Sequence, residues 1–276
     1  MGRFGDDFRF TLITSDPALA GRADAAGIDC IGVDIERLNK ASRQRQIPGA
    51  RISDHQLADL KSLSAVVRRA ALFARLNGLH DGSKLEVETA LGHGAAVLML
   101  PFFSTAREVD RFIKLVDGRA KVALLLETAA AIVRLHDILA VHGIDQVMVG
   151  LNDLRVSTGV ANHFELVASD LLTMVSEEVR TRGIRFGVGG LARAGDSSLP
   201  VASDLVLAQH ARLQSTSAWI ARSFFGSNPE SIDFHAEIAL LTRSTVVLGI
   251  THPGRASAPA RRAAAASASS IPELIS

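Results

Sequence analysis

The sequence predicts an α/β fold: a single (β/α)8 barrel (TIM barrel) with an additional C-terminal helix and a flexible Ala/Ser/Arg tail. Three observations predict it. Eight short β-type runs recur along the chain with segments of helical spacing between them. Several runs are apolar at nearly every position, as parallel strands covered on both faces are. The chain has 276 residues, 47% of them hydrophobic, which matches the length and apolar content that one such barrel needs. An open doubly wound sheet is the alternative arrangement of the same alternation.

In chain order the strands are read at residues 9–14 (RFTLIT), 30–35 (CIGVDI), 72–76 (LFARL), 97–100 (VLML), 122–126 (VALLL), 146–150 (QVMVG), 184–188 (IRFGV) and 219–221 within AWIARSF. Residues 106–116 (AREVDRFIKLV) show the crossover helices most clearly. Val109, Phe112, Ile113 and Val116 share one face there, and Arg107, Asp110, Arg111 and Lys114 lie elsewhere. A last helix is read from Pro229 to about Leu248, with Pro229 at its start and Phe234, Ile238, Leu241 and Val246 available for an apolar face. Residues 1–250 form the barrel domain. Residues 251–276 read as a low-complexity tail, because 254–270 (GRASAPARRAAAASASS) contains no large apolar residue. The three arginines of that stretch either touch an acidic partner or are simply solvated.

Composition removes several classes of function. Aromatics are 5% and Tyr is absent, so no stacking platform for single-stranded nucleic acid is available, and no nucleic-acid partner is expected. The formal net charge of +1 steers neither polyanions nor cations. The single cysteine, Cys30, has no disulfide or zinc partner and reads as core, which fits a reducing compartment. No run of transmembrane length occurs and the opening MGRFGDDFRF lacks a signal-type apolar stretch, so a soluble, cytoplasmic protein without a membrane partner is expected.

Barrel active sites lie at the carboxyl ends of the strands, and five strand ends carry suitable side chains. These are Asp34, Glu36 and Arg37 after strand two, and Arg75 and Asn77 at strand three. Glu127 follows strand five, Asn152 and Asp153 follow strand six, and Arg222 and Ser223 follow strand eight. Singly, Glu127 reads equally as a helix N-terminal acid and Asp153 as an N-cap or turn residue. Together they offer one carboxylate from each of two adjacent strands, a cup that suits Mg²⁺ or Mn²⁺ with substrate and water completing the shell. Arg75 either grips a substrate carboxylate with its planar fork or pairs with Glu36 or Glu127. Gly189 lies in FGVGG at the end of strand seven, where glycines either offer backbone amides to a substrate carboxylate or make a tight turn.

These residues resemble the HpcH/HpaI aldolase and citrate lyase β-subunit-like family, part of the phosphoenolpyruvate/pyruvate barrel superfamily. The resemblance covers about the first 225 residues and rests on GIDCIGVDIER, ARLN, EVETALGHGAAVLMLPFFSTAREV, LLLETAAAI and VMVGLNDLRVSTG, of which the last two are the most specific. It implies that Glu127 and Asp153 are ligands of a divalent cation, Mg²⁺ or Mn²⁺, and that Arg75 binds a pyruvyl group. The implied activity is carbon–carbon lysis, with retro-aldol cleavage or formation of a 4-hydroxy-2-keto acid through a pyruvate enolate. Keto acid and aldehyde are the implied small-molecule partners, and relatives assemble into trimers or hexamers.

One position departs from that pattern. The aldolase branch carries a histidine implicated in proton transfer where this chain has Arg37, and the lyase-like branch carries an acidic segment there, whereas here the sequence reads DIER. The base is therefore sought elsewhere: first at His55 in ISDHQ, which reads equally as an exposed helix-start residue, and second at Glu36. Arg37 and Lys40 add positive charge and point to an acidic or phosphorylated substrate, with Asn152, Gly189 and Arg222 as further substrate contacts. Two alternatives stand beside the aldolase reading: a citrate lyase-like enzyme acting on an acyl-CoA, and a catalytically inactive barrel serving as a binding subunit.

Overall fold

Parallel pairing closes eight strands into a ring in the computed structural model, which describes residues 7–38, 53–226 and 232–251. The strands β1 (Arg9–Ile13), β2 (Cys30–Asp34), β3 (Ala71–Arg75), β4 (Val97–Leu100), β5 (Lys121–Leu126), β6 (Gln146–Val149), β7 (Arg185–Val188) and β8 (Ser217–Trp219) lie in chain order. The last returns to the first through Arg9↔Ser217, Phe10↔Ala218 and Thr11↔Trp219. This is the expected barrel, and it excludes the open sheet, whose edges would leave backbone groups unpaired.

Eleven α-helices lie among the described residues. They are α1 (Pro17–Ala25), α2 (Asp59–Ser64), α3 (Ser83–Gly92), α4 (Ala106–Val116), α5 (Ala129–Val133), α6 (Leu135–Leu139), α7 (Leu151–Thr158), α8 (His163–Ala168), α9 (Asp170–Thr181), α10 (Ser203–Arg212) and α11 (Phe234–Thr251). Local chemistry sets several of their ends. Asp16 caps α1 ahead of Pro17. Thr105 caps α4 and shares Glu108 in a reciprocal box, and Asp117 closes that helix in the left-handed conformation. Thr128 caps α5 and Ser169 caps α9. Among the described residues, no helix is long and apolar enough to cross a membrane.

Side-chain alternation along the strands divides the apolar residues into two sets. The larger fills the layer between strands and helices, with Ile31, Leu98, Leu124, Val149 and Phe112 among its buried members. The smaller, Phe73, Val97, Met99, Ala123, Leu125 and Met148, comes from the alternate positions and fills the lumen. Glycines make room for its larger members. A Cβ on Gly32 would stand 1.7 Å from the Phe73 carbonyl oxygen, and one on Gly187 would stand 2.3 Å from Ser217 Oγ and 2.6 Å from Met148 Sδ. At the lower rim, Asp29 and Asp145 each accept a backbone N–H from the neighbouring strand, from Phe10 and Val122 respectively.

Three elements differ from the sequence reading. Strand β8 ends at Trp219 rather than Ala221, because Ile220 makes only an isolated bridge to Leu191 and Arg222–Phe225 turns into a 3-10 helix. Asn152 and Asp153 belong to the first turn of α7, not to the end of a strand. The last helix is described from Phe234 to Thr251 and buries Phe234, Ile238, Leu241 and Thr245, so its inward stripe passes through Thr245 where Val246 was expected. Pro229, Lys40 and the tail from 252 onward lie outside the described residues.

Candidate active site at the carboxyl rim of the barrel

Register brings the first two charged residues together. Asp34 and Arg75 end β2 and β3 as direct cross-strand partners, so both side chains leave the barrel at the same height. Arg75 Nε donates to Asp34 Oδ1 at 2.8 Å and its Nη2 donates to Oδ2 at 2.5 Å, a two-point grip in which the plane of the guanidinium is fixed. Glu36 is the second residue beyond β2. Its backbone N–H donates to Asp34 Oδ1, and its Oε2 lies 3.5 Å from Arg75 Nη1. Arg75 also lies over the indole of Trp219, with its guanidinium carbon 5.0 Å from the ring centroid.

Glu127 is the first residue beyond β5 and is 2% exposed. Its Oε1 accepts the backbone N–H of Phe102 at 3.0 Å. Phe102 holds a left-handed backbone, φ 51°, directly after Pro101 at the end of β4, a conformation that costs a bulky residue about 1–3 kcal/mol. Asp153 is buried in the first turn of α7. Gly150 packs directly against the first of these carboxylates: a Cβ there would stand 2.6 Å from Glu127 Oε2 and 2.9 Å from Glu127 Cβ.

The electrostatics are lopsided. Burial, then the Glu36 carboxylate, push the Glu127 carboxyl well above the usual carboxylate range; Asp153 pushes it further, while Arg75 and the Phe102 N–H pull it down without prevailing. Burial works against the Arg75 charge, but Asp34, Glu36 and Glu127 more than offset it and hold the guanidinium firmly protonated. Asp34, Glu36 and Glu127 thus act on one guanidinium, of which Asp34 takes two donors, and Asp153 adds its charge beside Glu127. A divalent cation fits such a donor set. Its oxygens are hard, and the Asp153 charge acts directly against that of Glu127, so the pair calls for a counter-ion. Among the described residues no three His, Cys, Asp or Glu side chains are placed to hold a metal ion together, and a cation at this pair would need water and substrate oxygens to complete its shell.

The other residues singled out in the sequence fall at varying distances from this centre. His55 sits beside it, with Nδ1 accepting the Asp34 N–H at 3.2 Å; in the neutral ring this places the proton on Nε2. Arg37 is exposed and turns its guanidinium away to the Ser53 and His55 carbonyls, at 3.0 Å each. Asn152 and Arg222 are exposed at the same end of the barrel. Gly189 follows β7, and a Cβ there would stand 3.0 Å from the Leu151 side chain, so its bare backbone serves packing against α7. Three participants take roles that the sequence alone does not assign. Asp34 was noted at a strand end but not as the partner of Arg75, which only the register reveals. Trp219 was read as strand alone, although its spacing of two from Ser217 turns it inward. Asn77 accepts the Arg37 and Leu38 N–H groups at 2.8 and 3.0 Å and is itself held by Glu86 at 2.8 Å.

A closed parallel barrel with buried carboxylates and an arginine at its carboxyl rim is the arrangement of barrel enzymes whose loops carry the chemistry. A sequence profile of the HpcH/HpaI aldolase/citrate lyase family matches residues 10–188, and the chain belongs to that family. It is therefore an enzyme of lyase or aldolase type. The fold is similar to that of an HpcH/HpaI aldolase from Desulfitobacterium hafniense DCB-2, with TM-score 0.61 and 16% identity over 79% of this chain and 90% of that one. A family protein from Burkholderia cenocepacia J2315 superimposes with TM-score 0.60 and 16% identity over 78% and 88%. The citrate synthase SbnG does so with TM-score 0.59 and 16% identity over 79% and 88%. No curated protein sequence matches the chain.

Proposed function

We propose that the protein is a divalent-metal-dependent carbon–carbon lyase that cleaves or forms a 4-hydroxy-2-keto acid through a pyruvate enolate. The observation that carries this reading is the buried, repelling pair Glu127 and Asp153 beside Arg75. Held by those two carboxylates, Mg²⁺ or Mn²⁺ would supply the positive charge that polarises the 2-keto group and offsets the charge that develops on its oxygen.

The chain's own groups account for the remaining roles. Arg75 offers its Nη1 edge to the substrate carboxylate, because Nε and Nη2 are occupied by Asp34. Glu36, buried at the same edge, is the favoured proton acceptor. It takes the 4-hydroxyl proton as the C3–C4 bond breaks; the hydroxyl carbon leaves as an aldehyde, and the bonding pair remains as the enolate. His55 suits proton donation rather than acceptance, since its Nδ1 is engaged by Asp34 and its Nε2 carries the hydrogen. Arg37 braces the 53–55 segment, while Asn152 and Arg222 are rim contacts for the aldehyde half. A rim dominated by carboxylates also disfavours a di-anionic substrate unless the cation is bound first.

The test is pyruvate release from a panel of 4-hydroxy-2-keto acids in Mg²⁺ or Mn²⁺. Glu127→Ala and Asp153→Ala are each expected to lower turnover by about a thousandfold while the protein stays folded. Wild-type activity in either variant would remove the reading.

A further inference from the structure

We infer that Trp219 is a positioning residue for substrate recognition: its indole face is the platform that holds Arg75 with its Nη1 edge presented to the substrate carboxylate. The inference rests on the reading of Arg75 as the group that receives that carboxylate.

Two constraints are needed to fix a guanidinium in space. Asp34 supplies the in-plane one through Nε and Nη2. The out-of-plane one comes from Trp219, whose ring centroid lies 5.0 Å from the guanidinium carbon. The indole is in turn wedged edge-on against Phe73 of the lumen, with centroids 6.5 Å apart at 68°, so the platform rests on the packed interior of the barrel. With both constraints in place, the Nη1 side of Arg75 is left facing Glu36, 3.5 Å from its Oε2.

The indole nitrogen supplies a second, independent observation. Trp219 Nε1 is buried and has no acceptor among the described residues. An orphaned buried N–H costs free energy that a phenyl or aliphatic side chain in the same place would not. Packing alone therefore does not account for tryptophan here, whereas a demand for the most electron-rich face beneath a buried cation does.

Trp219 is the single tryptophan of the chain, so its emission reports on this site alone. The experiment titrates oxalate, a planar mimic of the pyruvate enolate, into the protein with Mg²⁺, following Trp219 emission in the wild type and heat in the wild type, Trp219→Phe and Trp219→Leu. Emission is expected to change and saturate with the calorimetric Kd. The Phe variant, which keeps a π face, should bind within about threefold of wild type, and the Leu variant about tenfold more weakly. Flat emission across a titration that calorimetry shows to saturate overturns the inference. So does a Leu variant that binds like wild type, or a Phe variant as weak as Leu, and all three of these leave the enolate-site reading standing. If the wild type binds no oxalate, the reading itself falls and takes the inference with it. Should the Leu variant fail to fold, the emission titration and the Phe variant still decide the matter.

Discussion

At the scale of single residues, the site is governed by a carboxylate whose surroundings oppose its charge. Glu127 is desolvated and repelled by Glu36 and Asp153, and the Phe102 N–H and Arg75 only partly offset this. The geometry that keeps it there is narrow, because Gly150 leaves just the room its side chain needs. A methyl group at Gly150 would meet Glu127 Oε2 at 2.6 Å and force that carboxylate to move. Gly150→Ala is therefore expected to weaken divalent-cation binding by about tenfold or more, since displacement of a metal-binding oxygen by even a few tenths of an ångström spoils octahedral geometry. Isothermal calorimetry with Mn²⁺ checks this, and unchanged affinity would mean that Glu127 does not hold the cation.

At the scale of elements, strand register does what no single residue could. Asp34 and Arg75 are 41 positions apart in sequence yet become direct neighbours because β2 and β3 pair in the register that also matches Cys30 with Ala71. A second device braces the segment after β2. Asn77, just beyond β3, accepts the Arg37 and Leu38 N–H groups, and Glu86 of α3 holds the Asn77 amide. Three elements thereby fix the backbone that carries Glu36. Asn77→Ala should lower the rate of pyruvate release by about tenfold through misplacement of Glu36, alongside a loss of about 1–3 kcal/mol of stability from the unpaired N–H groups. Kinetics at saturating substrate together with thermal melting separate the two effects, and a melting change with unaltered turnover would reduce Asn77 to a structural brace.

The same scale explains what could be read in the sequence. Runs such as VALLL and VLML identify β5 and β4 because strands buried on both faces have no polar position to blur the signal. The α4 boundaries are legible from its one-sided apolar face. By contrast β8 has three residues and a mixed neighbourhood, so its end was read too late, and the first turn of α7 was taken for strand end because Gly150 separates the two without a polar cap. Glu127 and Asp153 stood out because each follows directly on an apolar run. The Asp34–Arg75 grip and the Trp219 platform depend on cross-strand register and barrel closure, which no local pattern encodes.

At the scale of the whole molecule, closure of the sheet brings the ends of β2, β3, β5 and β8 and the start of α7 to one rim and fills the lumen beneath them with Phe73, Met99, Leu125 and Met148. That apolar floor removes water from below the charged residues, which strengthens every interaction among them and makes the excess of carboxylate over guanidinium costly. A bound cation relieves this, so metal and enolate-like anion are expected to bind together at Glu127 and Asp153. The most direct measurement is calorimetry of oxalate against chelator-treated protein, with and without Mg²⁺ or Mn²⁺, in the wild type and in Glu127→Ala and Asp153→Ala. Oxalate binding should require the metal and be lost in both variants; metal-independent binding, or binding undiminished in either variant, would mean that Glu127 and Asp153 do not form a metal–enolate site.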